Sequence, residues 1–432
     1  MYVPQLIRSL LRLGLYSEKA FVVVTFLLST DAFRLSLSPN KTRLIFLLIY
    51  TISLSLIVLR WKRCLLGIMR AGNLFPYILV GIAFLSLQWS QDPLVTRGHL
   101  RDFIGITIFA TYVGTRYTLK EQFEMLCLTL GLATFLSMVY GFAKPADGVH
   151  PEPIFDGAWR GIYNHKNGLG SLMGLSAGFF VLLARSRLCP SWLAWVGSIV
   201  SIFLILKAKS GGGRVTFLVL SVLIPLYGGL RFRSKLIVYF AILVVLIGGV
   251  MGVWFGDNSG LIFESLEKDD TLSGRTPVWE LMLETSREHR WLGFGFKTYW
   301  LGFRGPSAYV WLNSTWRPNY GHNGFMDLLV ELGVVGLSVF LLAFTLNLLH
   351  SLRWIVNTKT METLWPLLFL TYLVFANITE TRLVEPKSIY WSLFVIIGLL
   401  PMPPSLDSAR EPEDTLPNSI SEQERSVQPT WK

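Results

Sequence analysis

Charged residues are scarce in this chain. They make up 16% of its 432 residues, whereas an average soluble domain has about 25%, and hydrophobic residues account for 52%. This balance excludes an ordinary soluble globular protein and indicates a polytopic membrane protein.

Cysteine is nearly absent as well, and metal-ligand spacings are missing. The three cysteines, Cys64, Cys127 and Cys189, are too few and too scattered for a disulfide framework, so we expect free thiols. The six histidines form no H-x-x-x-H or H-x-x-E-H pair. We therefore predict no structural disulfide, no bound metal ion and no cofactor.

Long apolar runs are the dominant feature that the chain does have. About 20 apolar residues in a helix cross a hydrocarbon core of roughly 30 Å. We predict about twelve spans, near 20–37, 42–59, 73–88, 101–115, 121–142, 167–184, 191–206, 214–230, 235–254, 323–349, 363–379 and 387–401. The expected fold is an all-α transmembrane domain over residues 1–401, with one large loop at 255–322 between spans nine and ten. A disordered cytoplasmic tail is predicted at 402–432.

Short loops between the apolar runs carry much of the net charge of +11, so this charge does not indicate a nucleic-acid partner. An excess of Lys and Arg in short loops marks the cytoplasmic side of a membrane protein. The charged positions are Arg60, Lys62, Arg63, Arg70, Arg116, Lys120, Arg185, Arg187, Arg231, Arg233, Lys235, Arg353 and Lys359. Both termini are then cytoplasmic, and loops 143–166, 207–213 and 255–322 face the periplasm.

Polar clusters lie in these three loops or at their edges. Residues 160–170, Arg-Gly-Ile-Tyr-Asn-His-Lys-Asn-Gly-Leu-Gly, precede span six, and residues 210–214, Ser-Gly-Gly-Gly-Arg, precede span eight. Residues 321–325, Gly-His-Asn-Gly-Phe, precede span ten, and Arg275 precedes a predicted loop helix at 277–288. Each cluster therefore meets a helix N-terminus, which carries unpaired N–H groups and a partial positive charge.

Four cations in these clusters are candidate phosphate ligands: Arg160, Lys166, Arg214 and Arg275. Arginine binds phosphate through a bidentate fork, and helix N-termini bind anions. Arg160 and Arg275 lie in Gly-flanked loops, which favours a binding function. Lys166 and Arg214 could equally be interfacial anchors whose side chains reach the lipid headgroups.

His322 is the candidate proton acceptor. Imidazole titrates near neutral pH, which suits a catalytic base, and the acids Asp327 and Glu331 follow it within span ten. The alternative is a structural histidine that only packs the loop. Asn167 and Asn323 are the predicted N-caps of spans six and ten. Further candidates for the same site are His165, Asn323, Asp327 and Glu380.

Together these motifs resemble those of the O-antigen ligase and Wzy-type O-antigen and exopolysaccharide polymerase superfamily. The resemblance covers roughly residues 80–400. It is carried by the stretches 160–170 and 322–336, Gly274-Arg275, Gly293-Phe-Gly-Phe296 and Trp89-Ser-Gln-Asp-Pro93. The His-Lys-Asn form at 165–167 is most similar to that of exopolysaccharide polymerases.

The resemblance implies a metal-independent, inverting glycosyltransferase of the GT-C type in the bacterial inner membrane. Its donor would be a glycan on a polyprenyl diphosphate, and its acceptor a glycan or a lipid-linked glycan, at the periplasmic face. Carried onto this chain, the diphosphate-binding arginines match Arg160, Arg214 and Arg275, and the histidine near the acceptor matches His322. A chain-length regulator is a candidate partner of such a polymerase.

Two alternatives stay open beside a polymerase. A ligase of the same superfamily would move a finished glycan onto lipid A core or another acceptor by the same mechanism. A transporter or flippase would carry the lipid-linked glycan without making a bond, and its expected marks are inverted repeats and charges near the midplane. The charged clusters of this chain lie instead at one predicted face, which favours an enzyme.

We predict that residues 255–322 face the periplasm and that both termini are cytoplasmic, because the Lys/Arg-rich short loops fix the orientation. A cysteine introduced near Asn258 should react with a membrane-impermeant thiol reagent in intact cells. Labelling that requires permeabilised cells would contradict this topology.

Overall fold

The computed structural model describes residues 3–34, 36–229, 275–358 and 360–401, with side chains from residue 14 onward. Span nine at 235–254, the loop segment 255–274 and the tail at 402–432 lie outside the described residues.

Helices are the only regular elements of the described ranges, where two isolated β-bridges pair Ala71 with Pro401 and Val149 with Trp159. The helices are α1 (Val3–Ser29), α2 (Pro39–Leu59), α3 (Trp61–Met69), α4 (Phe75–Leu85), α5 (Pro93–Arg116), α6 (Leu119–Ala143), α7 (Pro145–Gly148), α8 (Lys166–Ser186), α9 (Ser191–Ala208), α10 (Gly211–Gly229), α11 (Arg275–Thr285), α12 (Ser307–Asn313), α13 (Gly324–Asn357), α14 (Trp365–Thr379) and α15 (Ile389–Gly398). The all-α prediction is confirmed for this part of the chain.

Seven helical segments among the described residues are long and apolar enough to cross a membrane. They are α2, α6, α8, α9, α10, α13 and Met361–Thr379, where a 3₁₀ turn leads into α14. Two shorter apolar helices occupy Phe75–Gln88 and Ile389–Gly398. The protein is therefore an integral membrane protein. Of the twelve predicted spans, the eleven that fall on described residues each overlap a helix, and the full count of twelve stays a prediction.

The predicted bounds of span one, 20–37, are wrong. Helix α1 instead ends at Ser29, and the chain then turns through Asp31 and Phe33, whose φ angles of 67° and 61° do not belong to a helix. The backbone N–H of Phe33 donates to the carbonyl of Ile162 over 2.8 Å. This contact ties the turn to the polar cluster that precedes α8.

Helix α5 starts eight residues before predicted span four and carries charges that a lipid-facing helix would not tolerate. Asp92 caps its N-terminus by accepting from the N–H groups of Leu94 and Val95. Asp102 lies almost fully buried within the helix and pairs with Arg101 and with a lysine of a distant loop. Because an unpaired buried charge is costly, this pairing is what permits a carboxylate at a buried position of the helix.

Helix α8 lies at the centre of the bundle, since most of its residues are buried. Small residues let α10 approach it closely. A Cβ at Gly170 would lie 2.3 Å from the Ser210 Cβ, and one at Gly213 would lie 2.6 Å from the Gly170 carbonyl oxygen. The Gly-rich stretch that follows Ser210 therefore packs helix against helix, as small residues do in membrane proteins.

Helix α13 is broken at Gly333, whose φ of 67° and ψ of −171° interrupt the helical backbone. The loop before it fills the break. Phe294 N–H donates to the Val330 carbonyl over 3.0 Å, and Val334 N–H donates to the Arg290 carbonyl over 2.8 Å. Backbone groups freed by the break are thus satisfied by the loop, which is anchored where it enters the candidate site.

Replacing Gly333 with alanine should destabilise the protein. A positive φ disfavours a residue with a Cβ by about 1 kcal/mol, and the new Cβ would lie 2.2 Å from the Trp291 carbonyl oxygen. We expect the unfolding temperature in detergent to fall by a few degrees. The matched control is Gly131→Ala within α6, where no atom lies within 4 Å of the added Cβ and helix propensity predicts equal or higher stability. Equal unfolding temperatures for both variants would contradict this account of the break.

Candidate functional site

A cavity of about 980 Å³ gathers polar side chains from distant parts of the chain. It is lined by the α1–α2 connection, by α5, by the residues before α8, by the loops at 297–300 and 316–322, by the start of α13 and by the α14–α15 connection. His165, His322, Asp327 and Glu380 all lie on this lining. Four predicted site residues are therefore brought together.

His322 and Glu380 form the centre of the cluster. His322 Nδ1 lies 3.6 Å from Glu380 Oε1, and the two side chains are only 14% and 7% exposed. The ring of Tyr320 packs against the imidazole with 4.0 Å between the ring centres, and the ring centre of Trp316 lies 5.5 Å from that of the imidazole. His322 adopts a φ of 50°, so the loop backbone, and not a helix, sets the direction of its side chain.

Glu380 connects three separate segments. Asn167 Nδ2 donates to its Oε1 over 2.7 Å, and the Tyr320 hydroxyl donates to its Oε2 over 3.0 Å. Burial alone would raise the pKa of this carboxyl, but His322 and the charges of Arg382 and Arg275 outweigh it and hold the pKa at about 2. Glu380 is therefore a carboxylate at neutral pH.

The N-cap predicted for span six is wrong, whereas that for span ten is confirmed. His165 Nδ1 caps α8 by accepting from the Asn167 N–H over 3.2 Å, which leaves the Asn167 side chain free to bind Glu380. Asn323 Oδ1 caps α13 by accepting from the N–H groups of Phe325 and Met326. Two helix N-termini thus meet the cavity.

His165 is half-buried beside a second histidine. The rings of His165 and His150 lie 5.2 Å apart, and His150 Nε2 accepts from the Lys166 N–H over 3.0 Å. Burial and the neighbouring His150 lower the pKa of His165 to about 4. His165 is accordingly neutral and acts as a hydrogen-bond acceptor in the first turn of α8.

None of the four predicted phosphate ligands, Arg160, Lys166, Arg214 and Arg275, is among the described residues that line the cavity. Arg160 donates from Nε to the Asp147 carbonyl over 2.9 Å and from Nη2 to the Ala146 carbonyl over 3.3 Å. It therefore secures the short helix α7. Lys166 is half-buried, with Nζ 5.6 Å from the ring centre of Phe155.

Arg214 and Arg275 differ in their surroundings. Arg214 is exposed in the first turn of α10. Arg275 is 6% exposed, and its Nη1 donates to the Thr379 carbonyl over 2.7 Å, at the last residue of α14. Arg275 thus fixes the backbone immediately before Glu380.

Asp327 joins the loops around the cavity. Its Oδ1 accepts from the Gly321 N–H over 2.9 Å and from Trp300 Nε1 over 2.7 Å, and its Oδ2 accepts from the Thr381 hydroxyl. A carboxylate with this many donors is a strong local constraint. It holds the loop that carries His322 against the start of α13.

Sequence reasoning missed Lys297 as a member of the site. Its Nζ lies 2.6 Å from Glu385 and 3.6 Å from Glu331, all on the cavity lining. Burial alone would lower the pKa of Lys297, but these two carboxylates raise it, so the lysine stays charged. The available signal was its position directly after the Gly-Phe-Gly-Phe stretch.

Asp102 and Lys387 form another ion pair of the lining, with 2.9 Å between Nζ and Oδ2. Neither was a predicted site residue. Asp102 falls inside predicted span four, and an acid within a span is itself a signal of function. Lys387 lies in the same α14–α15 connection as Glu380 and has a φ of 63°.

Metal ligands are not clustered in this part of the protein. Among the described residues, no group of three or more His, Cys, Asp or Glu side chains is arranged to hold a metal ion. The cavity lining is instead organised by pairs of opposite charge.

Comparison with known proteins gives two findings. Residues 170–341 match a protein family described as O-Antigen ligase. The chain is 24% identical over 331 residues to the Exopolysaccharide production protein ExoQ of Rhizobium meliloti (strain 1021), and the match covers 72% of each chain. The family match includes His322 and Asp327 and ends before Glu380.

Proposed function

We infer that this protein is a membrane-embedded glycosyltransferase, because its residues 170–341 match the O-antigen ligase family. The specific reaction we propose is polymerisation of oligosaccharide repeat units carried on a polyprenyl diphosphate. It would occur at the periplasmic face of the bacterial inner membrane. The donor is the lipid-linked glycan, and the acceptor is a second glycan, itself lipid-linked.

The observation that carries the proposal is the pair of His322 and the ionised Glu380 on the wall of a large cavity. A carboxylate beside Nδ1 favours the tautomer that carries its proton there, so that Nε2 can accept a proton. The same carboxylate stabilises the imidazolium that forms. This is the arrangement that a general base needs.

The reaction is a single displacement. The acceptor hydroxyl gives its proton to His322 Nε2 while its oxygen bonds to the anomeric carbon of the donor sugar. The bond from that carbon to the diphosphate oxygen breaks, and the diphosphate leaves with the electron pair. Attack from the side opposite the leaving group inverts the anomeric configuration.

Leaving-group charge is the second requirement of this chemistry. Cations and helix N-termini aimed at the diphosphate lower the barrier by electrostatic stabilisation, without a metal ion. The N-terminal ends of α8 and α13 both reach the cavity, beside His165 and His322. Arg275 supports this end of the cavity through the Thr379 carbonyl.

A ligase is the second candidate, because the matching family is described as O-Antigen ligase. The similarity to an exopolysaccharide production protein supports a polymerase instead. The polymerase and the ligase differ only in the acceptor.

Purified protein supplied with a lipid-linked oligosaccharide as the sole glycan should form a ladder of longer products. Product only after addition of lipid A core would establish a ligase, and no new glycosidic bond under either condition would overturn the enzyme assignment in favour of a carrier.

His322→Ala should lower turnover by about 10² or more, the usual contribution of a general base, while binding of the lipid-linked donor stays close to normal. His322→Gln, which keeps a hydrogen-bonding side chain, should be nearly as slow. The matched control is His289→Gln, an exposed histidine outside the cavity lining, and it should retain full activity. Near-normal turnover of His322→Gln would defeat the role as base.

Activity should also survive an excess of chelator in the same polymerisation assay. The physical reason is that positive charge at the leaving group is supplied by side chains and helix N-termini. Activity that is lost to chelator and restored by Mg²⁺ or Mn²⁺ would contradict the proposed mechanism.

A further inference from the structure

Arg382 is a cation of the cavity wall that the reaction described above does not use. It lies in the α14–α15 connection, two residues after Glu380. Its backbone N–H donates to Asn377 Oδ1 over 2.6 Å, so the main chain is fixed at this point. Its guanidinium lies over the ring of Tyr390, at 5.8 Å from the ring centre.

The guanidinium of Arg382 lacks an anionic partner in the described part of the protein. No described carboxylate oxygen lies within 4 Å of it, whereas Lys297 and Lys387 on the same lining each have one within 3 Å. Its Nε is shielded from solvent and has no hydrogen-bond acceptor among the described residues.

Such an arrangement is costly unless a ligand completes it. Arg382 is half-buried. A partly desolvated charge without a hydrogen-bonded partner is disfavoured, and an arginine cannot escape the cost by losing its proton. The contact with Tyr390 is a cation–π contact and engages no N–H donor in a hydrogen bond, so the donors of the guanidinium stay available. Those donors match two oxygens of a phosphate group.

Glu380 does not account for Arg382. The carboxylate lies beyond salt-bridge distance from Arg382, and its two oxygens already accept from Asn167 and Tyr320 beside His322. Arg382 contributes to the local positive potential that keeps Glu380 ionised. That long-range effect leaves the donors of the guanidinium unused.

We propose that Arg382 binds a phosphate group of the lipid-linked diphosphate, bidentately, beside His322 and Glu380. This inference rests on the proposed function, because it takes the diphosphate donor as the ligand. Arg382 is then a direct ligand of the leaving group. Arg275 is a positioning residue, since its bond to the Thr379 carbonyl holds the segment from which both Glu380 and Arg382 project.

Direct binding measurements on the full chain in detergent, with polyprenyl diphosphate as the probe, test the proposal. Arg382→Gln should weaken binding at least tenfold, and Arg382→Lys should restore little of it because an ammonium has no fork. The matched control is Arg304→Gln, an exposed arginine away from the cavity lining, which should bind as the wild type does. Unchanged affinity in Arg382→Gln would overturn the proposal.

Thermal stability of the unliganded variants separates binding from a structural role. Removing a half-buried cation that has no ion-pair partner breaks no salt bridge, so Arg382→Gln should unfold at about the wild-type temperature. A clear fall would indicate a structural arginine and would count against the proposal. If Arg382→Gln does not fold, the charge-conserving Arg382→Lys must still show weakened binding.

Two further arms identify the ligand. Excess phosphatidylglycerol should not displace the diphosphate from the wild type. If phosphatidylglycerol binds and its affinity falls in Arg382→Gln as much as that of polyprenyl diphosphate does, the assignment of the donor as the ligand is overturned.

His322→Ala should bind polyprenyl diphosphate normally while losing turnover. A catalytically active wild type that fails to bind the diphosphate would contradict the assignment of Arg382 and leave the proposed enzyme standing. A wild type that binds it and forms no glycosidic bond would leave Arg382 as a ligand and refute the proposed enzyme.

Discussion

The buried carboxylate of Glu380 is the interaction on which the candidate site depends. Asn167 of α8, Tyr320 of the long loop and His322 at the mouth of α13 all converge on it. These residues are far apart in sequence and meet because an ionised carboxylate cannot be buried without donors and positive charge around it. Loss of any one contact would therefore loosen the other two.

The break in α13 supports the same site from the other side. Because Gly333 interrupts the helix, the loop at 290–295 can pair its backbone with the freed groups of α13. Two residues after this anchored loop, Lys297 enters the cavity and meets Glu331, half a turn before the break. The irregular backbone at the break thus supports the same cavity as the buried charges. Non-helical segments of a membrane protein are expected where they line a polar cavity.

Local sequence signals predicted the helices well and the site only in part. Apolar runs located the eleven described spans, and Asn323 was identifiable as an N-cap because short polar side chains before an apolar run have that role. The pairing of Glu380 with His322 across 57 intervening residues had no local signal. The bounds of α1 were missed because the chain leaves the helix at Ser29 and turns through Asp31 and Phe33, and the tertiary hydrogen bond from Phe33 to Ile162 in this turn has no local signal.

The arginines illustrate why a motif alone is a poor guide to a ligand. Arg160 and Arg275 were predicted from their glycine-flanked positions, yet each donates to backbone carbonyls of its own chain. A cation in a site of low dielectric is available to a ligand only to the extent that the protein has not already satisfied it. Availability depends on the surroundings of the guanidinium, which a single sequence does not encode locally. The cations most informative about substrate are consequently those whose donors remain unused once the fold is complete, and these are found by accounting for every buried charge in three dimensions.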